Sequence, residues 1–333
     1  MAFDPARVVG DYGDIEGEVE ACRTAAALFD FSFVARARVT GPIALASLAR
    51  LTARELDTMA VGDIRYAVRA GPDGHLLSDL TIWRLAPDTY ELMSGRREDI
   101  ADLVRLAPPG TAVDLSGESA ILALQGPASL TRLAKATDVS AIARLAYYRC
   151  CRTLVLDADC LVGRLGYTGE AGFEIIVAAG EAPRLWAALS RIAKPAGFAA
   201  ADILRIEAGF VLFANELRLR VGAGDVGLSA FAGATPAHLG PPLTLVAFRA
   251  DAAERPVLWQ PAATLAPPGP GQLVVTSACW SRRAGGVLGL GFVHASDAES
   301  GRPLADPDQV FTNIALVPRP FYDPGKRRPR AEW

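Results

Sequence analysis

The chain has 333 residues, of which 51% are hydrophobic and 21% are charged, enough for two or three domains with substantial cores. Its formal net charge of −3 at pH 7 excludes the basic surface that nucleic-acid-binding proteins normally present. These values predict a soluble, globular protein.

The cysteines and the start of the chain indicate a cellular compartment. The five cysteines include no CxxC pair and have no histidine at metal-ligand spacing, which favours reduced, buried thiols and a cytoplasmic location. Residues 1–10 lack the apolar segment of a secretion signal, and no uncharged stretch approaches the ~20 residues of a membrane-spanning helix. We therefore expect neither secretion nor membrane insertion.

The first predicted elements are an α-helix, a strand and a second helix. Apolar residues recur at helical spacing over Glu16 to Phe29, and alternation predicts a strand over Phe33 to Val39. Gly41-Pro42 breaks this strand, and a helix follows over Ile43 to Leu51.

A β-hairpin comes next, with strands over Tyr66 to Arg69 and His75 to Leu85. Residues 71–74 form its turn, since Pro and Gly occupy turn-forming positions. Alternation places Asp79 beside Trp83 on a mostly apolar face. A carboxylate there is either capped by backbone amides or held in a pocket with a raised pKa for chemistry. The residues alone leave both alternatives open.

The middle of the chain is predicted to alternate between strands and helices. The strands are Asp88 to Leu92, Ile121 to Gln125, Tyr147 to Leu156 and Cys160 to Arg164, and the helices are Arg96 to Val104, Ala128 to Lys135 and Glu181 to Ala193.

A second unusual carboxylate lies within the glycine-rich stretch Arg164 to Val177. This stretch predicts a strand, a tight turn and a second strand with Phe173 on one face and Glu174 on the other. A glutamate at the mouth of an apolar strand is costly unless a polar group meets it. The alternative is a simple hairpin whose glutamate reaches solvent.

A further helix is predicted over Ala201 to Phe210. Asp202 and Arg205 are neighbours on it, so Arg205 either forms a structural ion pair or presents its guanidinium to a ligand. The GxGxxG stretch at residues 222–227 has no buried strand before it and no helix after it, which excludes a Rossmann site. The three histidines form no predicted triad or metal site.

The remaining sequence predicts a linker and a small all-β domain. A Pro- and Gly-rich linker precedes short strands that predict a β-barrel. The strands are Leu243 to Arg249, Gln272 to Ser277, Gly286 to His294 and Val310 to Val317. The basic stretch Lys326 to Arg330 is predicted to be solvated.

Three of these segments resemble motifs of the glycine-cleavage T-protein family, the tetrahydrofolate-dependent aminomethyltransferases. RLGYTGEAGFEI at residues 164–175 is similar to the family signature, and ADILRIEAG at 201–209 resembles a second motif. SDLTIWRL at 78–85 is similar to the folate-site motif, in the form found in folate domains of sarcosine and dimethylglycine dehydrogenases. Looser likenesses, such as ALQGP at 123–127, extend the resemblance from about Glu16 to Tyr322.

The resemblance implies an α+β fold. Two α+β lobes would surround a central folate channel within residues 1–232, residues 233–242 would be the linker, and residues 243–333 would form a C-terminal antiparallel β-barrel.

The resemblance also implies a set of site residues. Asp79 is the expected catalytic residue, and no metal is expected. The expected folate-binding residues are Tyr66, Trp83, Tyr167, Glu174 and Arg205. Ser78 stands where T-proteins commonly have an additional aspartate, which leaves the one-carbon donor open. A lysine-bearing segment usual near residue 231 is absent, which favours a folate-binding accessory protein, whereas Asp79 favours an enzyme.

The function implied is a tetrahydrofolate-dependent transfer of a methyl or methylene group. One alternative is a folate-binding accessory or regulatory protein without transfer activity. Another is a folate-dependent demethylase of a sulfonium, aryl ether or methylated amine. The expected partners are a small-molecule one-carbon donor and a carrier or dehydrogenase protein, with neither nucleic acid nor membrane.

Overall fold

Three β-sheets organise residues 8–333, the part of the chain that the computed structural model describes. The chain divides into two units. The first unit contains the described residues up to Ala67, Asp79–Ala201 and Lys326–Trp333, and the second contains Val68–Ser78 and Asp202–Gly325. The expectation that residues 1–10 lack a secretion signal concerns residues that lie largely outside the described part of the chain.

The bounds of the strands and helices are as follows. The strands are β1 (Ala27–Asp30), β2 (Ala35–Thr40), β3 (Ile64–Ala70), β4 (Leu76–Ala86), β5 (Thr89–Ser94), β6 (Ala112–Asp114), β7 (Ser119–Gln125), β8 (Cys150–Val155), β9 (Ala158–Gly163), β10 (Gly172–Ala178), β11 (Lys194–Ala196), β12 (Leu243–Ala252), β13 (Val274–Ser281), β14 (Gly286–His294) and β15 (Phe311–Val317). The α-helices are α1 (Ile15–Thr24), α2 (Ala44–Leu48), α3 (Arg97–Leu106), α4 (Ser129–Leu133), α5 (Ala182–Leu189), α6 (Phe198–Glu207), α7 (Phe213–Glu216) and α8 (Ala295–Ala298).

The six-stranded sheet of the first unit has the order β11-β1-β7-β10-β9-β8. Its neighbours are antiparallel except β1 and β11, which are parallel. Phe173, Ile175 and Val177 of β10 lie in an apolar core that also includes Leu185 of α5. Glu174 alternates with them and therefore lies on the opposite face of the sheet, as predicted.

The five-stranded sheet has the order β3-β4-β5-β2-β6. Leu80 and Ile82 of β4 lie in a second core with Leu48 of α2 and Ile100 of α3. Asp79 alternates with them, so it lies on the face of β4 that points away from this core. The predicted hairpin is confirmed.

The second unit contains an antiparallel sheet of the order β13-β14-β12-β15. Its four strands lie close to the four predicted ones. Within residues 8–333 no pairing between the edge strands β13 and β15 closes this sheet, so the predicted closed barrel is not confirmed. Alternating apolar residues indicate one buried face, and a sheet has such a face whether it closes or stays open.

Two local predictions are wrong. The first helix ends at Thr24, and Phe29 belongs to β1, where it pairs with Ala123 of β7 and Ala196 of β11. Sheet pairing has overridden the helical spacing of the apolar residues. The predicted tight turn before β10 is an eight-residue loop between Gly163 and Gly172, here called the signature loop.

Two further observations concern the chain as a whole. No helix among residues 8–333 is long and apolar enough to cross a bilayer. All five cysteines are free, and four of them are buried.

Candidate functional site

Asp79 lies on β4 with a phenol beside it. The hydroxyl of Tyr66, on neighbouring β3, donates to Asp79 Oδ2 at 3.2 Å. Burial, and secondly the charge of Asp79, raise the pKa of Tyr66 well above its usual value. Tyr66 therefore stays protonated and acts as a donor toward the carboxylate. Both side chains are half-buried, so the pair keeps contact with solvent.

Trp83 connects the face of Asp79 to that of Glu174. The indole is 0% exposed and donates from Nε1 to Thr81 Oγ1 at 3.1 Å. A Cβ built on Gly163 would lie 2.1 Å from the ring, so only glycine leaves room for it there. Gly163 pairs directly with Glu174, and paired residues share a sheet face. The Asp79 side of the five-stranded sheet thus meets the Glu174 side of the six-stranded sheet.

Glu174 of β10 has a carboxyl with a raised pKa. Its side chain is half-buried, yet protein surrounds it closely enough that burial raises its pKa to about 7. Within residues 8–333 its carboxyl forms neither a hydrogen bond nor an ion pair. A carboxyl that keeps solvent access but lacks donors is suited to a ligand that brings N–H groups.

Tyr147 and Tyr148 belong to the same region, and the sequence did not single them out. Their rings meet edge to face with centroids 4.7 Å apart. Burial raises the pKa of Tyr148 well above its usual value, and the charges of Glu174 and Asp79 add to the rise, so this phenol lies within electrostatic range of both carboxyls. Tyr148 has φ 65°, which is uncommon for a non-glycine residue. That conformation has no signal in the sequence.

The signature loop is fixed at its centre by Gln125. The Gln125 amide donates to Leu165 O at 3.1 Å and to Phe173 O at 3.2 Å, and its oxygen accepts from Thr168 Oγ1 at 3.0 Å. A Cβ on Gly166 would lie 1.8 Å from this oxygen, so the first glycine of the signature makes room for the amide. The ALQGP segment, interpreted as structural, supplies this glutamine.

Arg23 holds the next residues of the loop. Its Nη1 donates to Thr168 O at 2.8 Å and pairs with Glu170 Oε1 at 3.1 Å, with both charged side chains 1% exposed. Tyr167 stands between Gly166 and Thr168 and is half-buried. The loop therefore presents a tyrosine from a fixed backbone.

Arg205 belongs to the second unit and is fully buried. Its guanidinium pairs with Asp202 at 2.8 Å and with Glu216 at 3.0 Å, and donates to Ser277 Oγ at 2.6 Å. The ion pair considered from the sequence is thus present. The folate-binding role of Arg205 stays a prediction.

The family model described as GCVT N-terminal domain matches residues 9–235. The chain belongs to the GCVT family. A protein of Natronomonas pharaonis named "Probable aminomethyltransferase" is 33% identical over 94% of this chain and 92% of its own length. An aminomethyltransferase of Saccharopolyspora erythraea is 29% identical over 96% of this chain and 91% of its own length.

A solved structure agrees with this assignment. The glycine cleavage system aminomethyltransferase T from Bartonella henselae matches with a TM-score of 0.70 and 27% identity, over 85% of this chain and 82% of that one. The predicted family, the T-protein-like one-carbon transferase function and the use of tetrahydrofolate are confirmed for this GCVT protein.

The residues of the first unit fit the pterin part of tetrahydrofolate. A pterin carries an amino group and ring N–H groups on one edge, and the Glu174 carboxyl offers two acceptor oxygens that no described residue uses. Within residues 8–333 no group of His, Cys, Asp and Glu side chains could hold a metal ion.

Proposed function

We propose that this GCVT protein transfers a one-carbon unit between a small-molecule donor and tetrahydrofolate at the region formed by β4, β10 and the signature loop. The proposal rests chiefly on one observation: two half-buried carboxyls, Asp79 and Glu174, lie on sheet faces that meet at Trp83. Tetrahydrofolate, when bound, supplies the nitrogen that receives the carbon.

The two carboxyls have different surroundings, which supports different roles. Glu174 accepts hydrogen bonds from the pterin edge and orients the ring, and Tyr167 packs beside it. Asp79, oriented by Tyr66 at 3.2 Å, stabilises positive charge that develops on the migrating carbon. Trp83 forms a wall behind both carboxyls, and the fixed loop backbone keeps their geometry.

Calorimetric titration tests these roles. Tetrahydrofolate is titrated into the wild type, Glu174→Ala, Asp79→Ala and, as a control, the exposed Glu181→Ala. We expect Glu174→Ala to remove most binding, Asp79→Ala to retain most of it without transfer, and Glu181→Ala to bind like the wild type.

The possible outcomes separate the alternatives. Absence of binding to the wild type would refute the folate site. Tight binding without transfer from any methyl or aminomethyl donor would favour the accessory or regulatory protein considered from the sequence. Turnover of a sulfonium, aryl ether or methylated amine would favour the demethylase.

Several broader features belong to the same proposal. The predicted domain bounds are 1–232 and 243–333, and of these the bound at residue 243 is supported by the start of β12 at Leu243. A cytoplasmic location is supported by the free cysteines, and a carrier or dehydrogenase partner by the likeness to the T-protein of a glycine cleavage system. A central folate channel and a closed barrel would complete the family architecture.

A further inference from the structure

The indole of Trp333 lies between residues at the two ends of the signature loop. Its ring centroid is 4.7 Å from that of Phe173, in β10 just after the loop. The guanidinium carbon of Arg164, the first loop residue, lies 4.6 Å from the centroid of the indole. Trp333 also packs against the apolar core of the six-stranded sheet. One side chain therefore joins both ends of the loop.

Arg164 links Trp333 to the backbone of Tyr148, which belongs to the proposed site. Its guanidinium donates to Ala331 O and, at 2.8 Å, to Leu145 O. Its own carbonyl accepts from Tyr148 N at 2.9 Å. The residue that stacks on Trp333 thus also helps to hold the left-handed backbone of Tyr148, whose phenol lies within range of both carboxyls.

The residues just before Trp333 also lie near the signature loop and Tyr147. Arg328 Nη1 lies 3.5 Å from Glu170 Oε2, Pro329 is buried, and the guanidinium carbon of Arg330 lies 6.0 Å from the ring centroid of Tyr147. The basic side chains of this stretch are exposed, as predicted, but Arg328 also pairs with Glu170 of the loop. The buried contacts of the Trp333 indole hold this segment more firmly than the exposed charges of Arg328 and Arg330 would alone.

Gln125 supports both the centre and the start of the loop, and the start has a second support. Gln125 and Arg23 bind Thr168 and Glu170 at the centre. At the start, Arg164 is held by carbonyl oxygens and by the Trp333 ring. Tyr167 lies between these two supports, so its position depends on both.

We infer that Trp333 is a positioning residue of the proposed folate site, and that Arg328–Trp333 forms a strap that fixes the start of the signature loop. The expected effect of Trp333 on tetrahydrofolate binding rests on the proposed function, whereas its expected effect on the loop does not. Without the strap, Tyr167 and Tyr148 would sample more orientations, and ligand binding would have to order them.

Amide hydrogen exchange on the ligand-free protein tests the strap directly. We compare the wild type with Trp333→Ala, Trp333→Leu and Trp333→Phe. The matched control is Trp280→Ala, because Trp280 of the second unit also stacks with an arginine, Arg255, at 4.1 Å. Each variant is also titrated with tetrahydrofolate.

We expect exchange in residues 164–171 to be about tenfold faster in Trp333→Ala and Trp333→Leu, without a comparable rise in β7. Tetrahydrofolate should bind about tenfold more weakly to both, since a stacked cation–π contact is lost. Trp333→Phe keeps an aromatic ring and should stay within about threefold of the wild type in both measurements. Trp280→Ala should leave this loop unchanged.

Two results would overturn the inference: wild-type protection of residues 164–171 in Trp333→Leu, or equal acceleration throughout the first unit in every Trp333 variant. If Trp333→Ala does not fold, Trp333→Leu decides, because it keeps an apolar side chain in the core. If the wild type does not bind tetrahydrofolate, the proposed function fails, and hydrogen exchange still decides whether the strap fixes the loop.

Discussion

At the scale of single residues, the two carboxyls differ in what surrounds them. Asp79 has the phenol of Tyr66 as a donor, whereas Glu174 lacks any hydrogen bond within residues 8–333 and has a pKa of about 7. Burial without donors favours the neutral form of a carboxylic acid. Ionisation of Glu174 near neutral pH therefore costs free energy, and a ligand that donates N–H groups to the carboxylate lowers that cost.

This state of Glu174 predicts a pH-dependent stability. Its pKa is higher in the folded protein than in the unfolded chain, so its contribution is complete below about pH 4.5 and is lost as pH rises to about 7. For this one group the loss is about 3 kcal/mol. Glu174→Gln stays neutral, and we expect its free energy of unfolding to gain on the wild type by about that amount between pH 5 and pH 8.

Urea unfolding at the two pH values measures this difference. Glu181→Gln serves as the control, since Glu181 forms an exposed pair with Arg184 and should show little pH-dependent change. An identical offset between Glu174→Gln and the wild type at both pH values would show that the Glu174 carboxyl is not desolvated.

At the scale of elements, the signature loop depends on an amide from a neighbouring strand. Gln125 of β7 reaches Leu165, Thr168 and Phe173, so the loop is shaped from the inside by one buried side chain. A Cβ added to Gly166 would lie 1.8 Å from the oxygen of that amide, and one added to Gly172 would lie 2.6 Å from its nitrogen. These positions require glycine because the amide leaves no room for a side chain, and not because the loop has to be flexible.

Gly166→Ala tests this arrangement. The new methyl carbon would meet the Gln125 oxygen at 1.8 Å, so the amide has to move and its three hydrogen bonds weaken. We expect a loss of about 2–4 kcal/mol in the free energy of unfolding, by urea titration. Gly180→Ala is the control, since nothing lies within 4 Å of its added carbon, and it should change stability by less than about 0.5 kcal/mol. Equal stability of the two variants would contradict the close packing.

At the scale of the whole molecule, each unit has its own buried polar centre. The first unit has the loop network around Gln125, and the second has Arg205 between Asp202 and Glu216, with Ser277 as a further acceptor. Removing the cation from such a centre leaves two buried carboxylates without their charge partner. Stability of the second unit should therefore respond strongly to this one residue.

We expect Arg205→Met to lower the free energy of unfolding by about 3–5 kcal/mol. Arg184→Met removes an exposed pair and should cost no more than about 0.5 kcal/mol. Urea unfolding compares the two, and a loss below about 1 kcal/mol in Arg205→Met would contradict a tightly coupled ion-pair centre. Titration of folded Arg205→Met with tetrahydrofolate also tests its predicted folate role, which requires weaker binding.

The sequence predicted much of the fold and of the site because the spacing of apolar residues and the sequence motifs are local properties of the chain. Alternation placed Asp79 and Glu174 on the correct sides of β4 and β10, and the spelling of residues 164–175 identified the family. The helix over Glu16 to Phe29 failed at its end because β1 pairs with distant strands. Tyr148 was missed because its left-handed backbone follows from hydrogen bonds to remote residues.

By itself, the sequence determined the α+β class, the strand faces and the chemical types available to the site. Only the tertiary structure decided which groups meet. Trp83 lies on Gly163, and Trp333 reaches Arg164 over a separation of 169 positions along the chain. Such contacts depend on how sheets and loops pack, and packing is set by many weak interactions summed over the fold, which no local pattern of residues encodes.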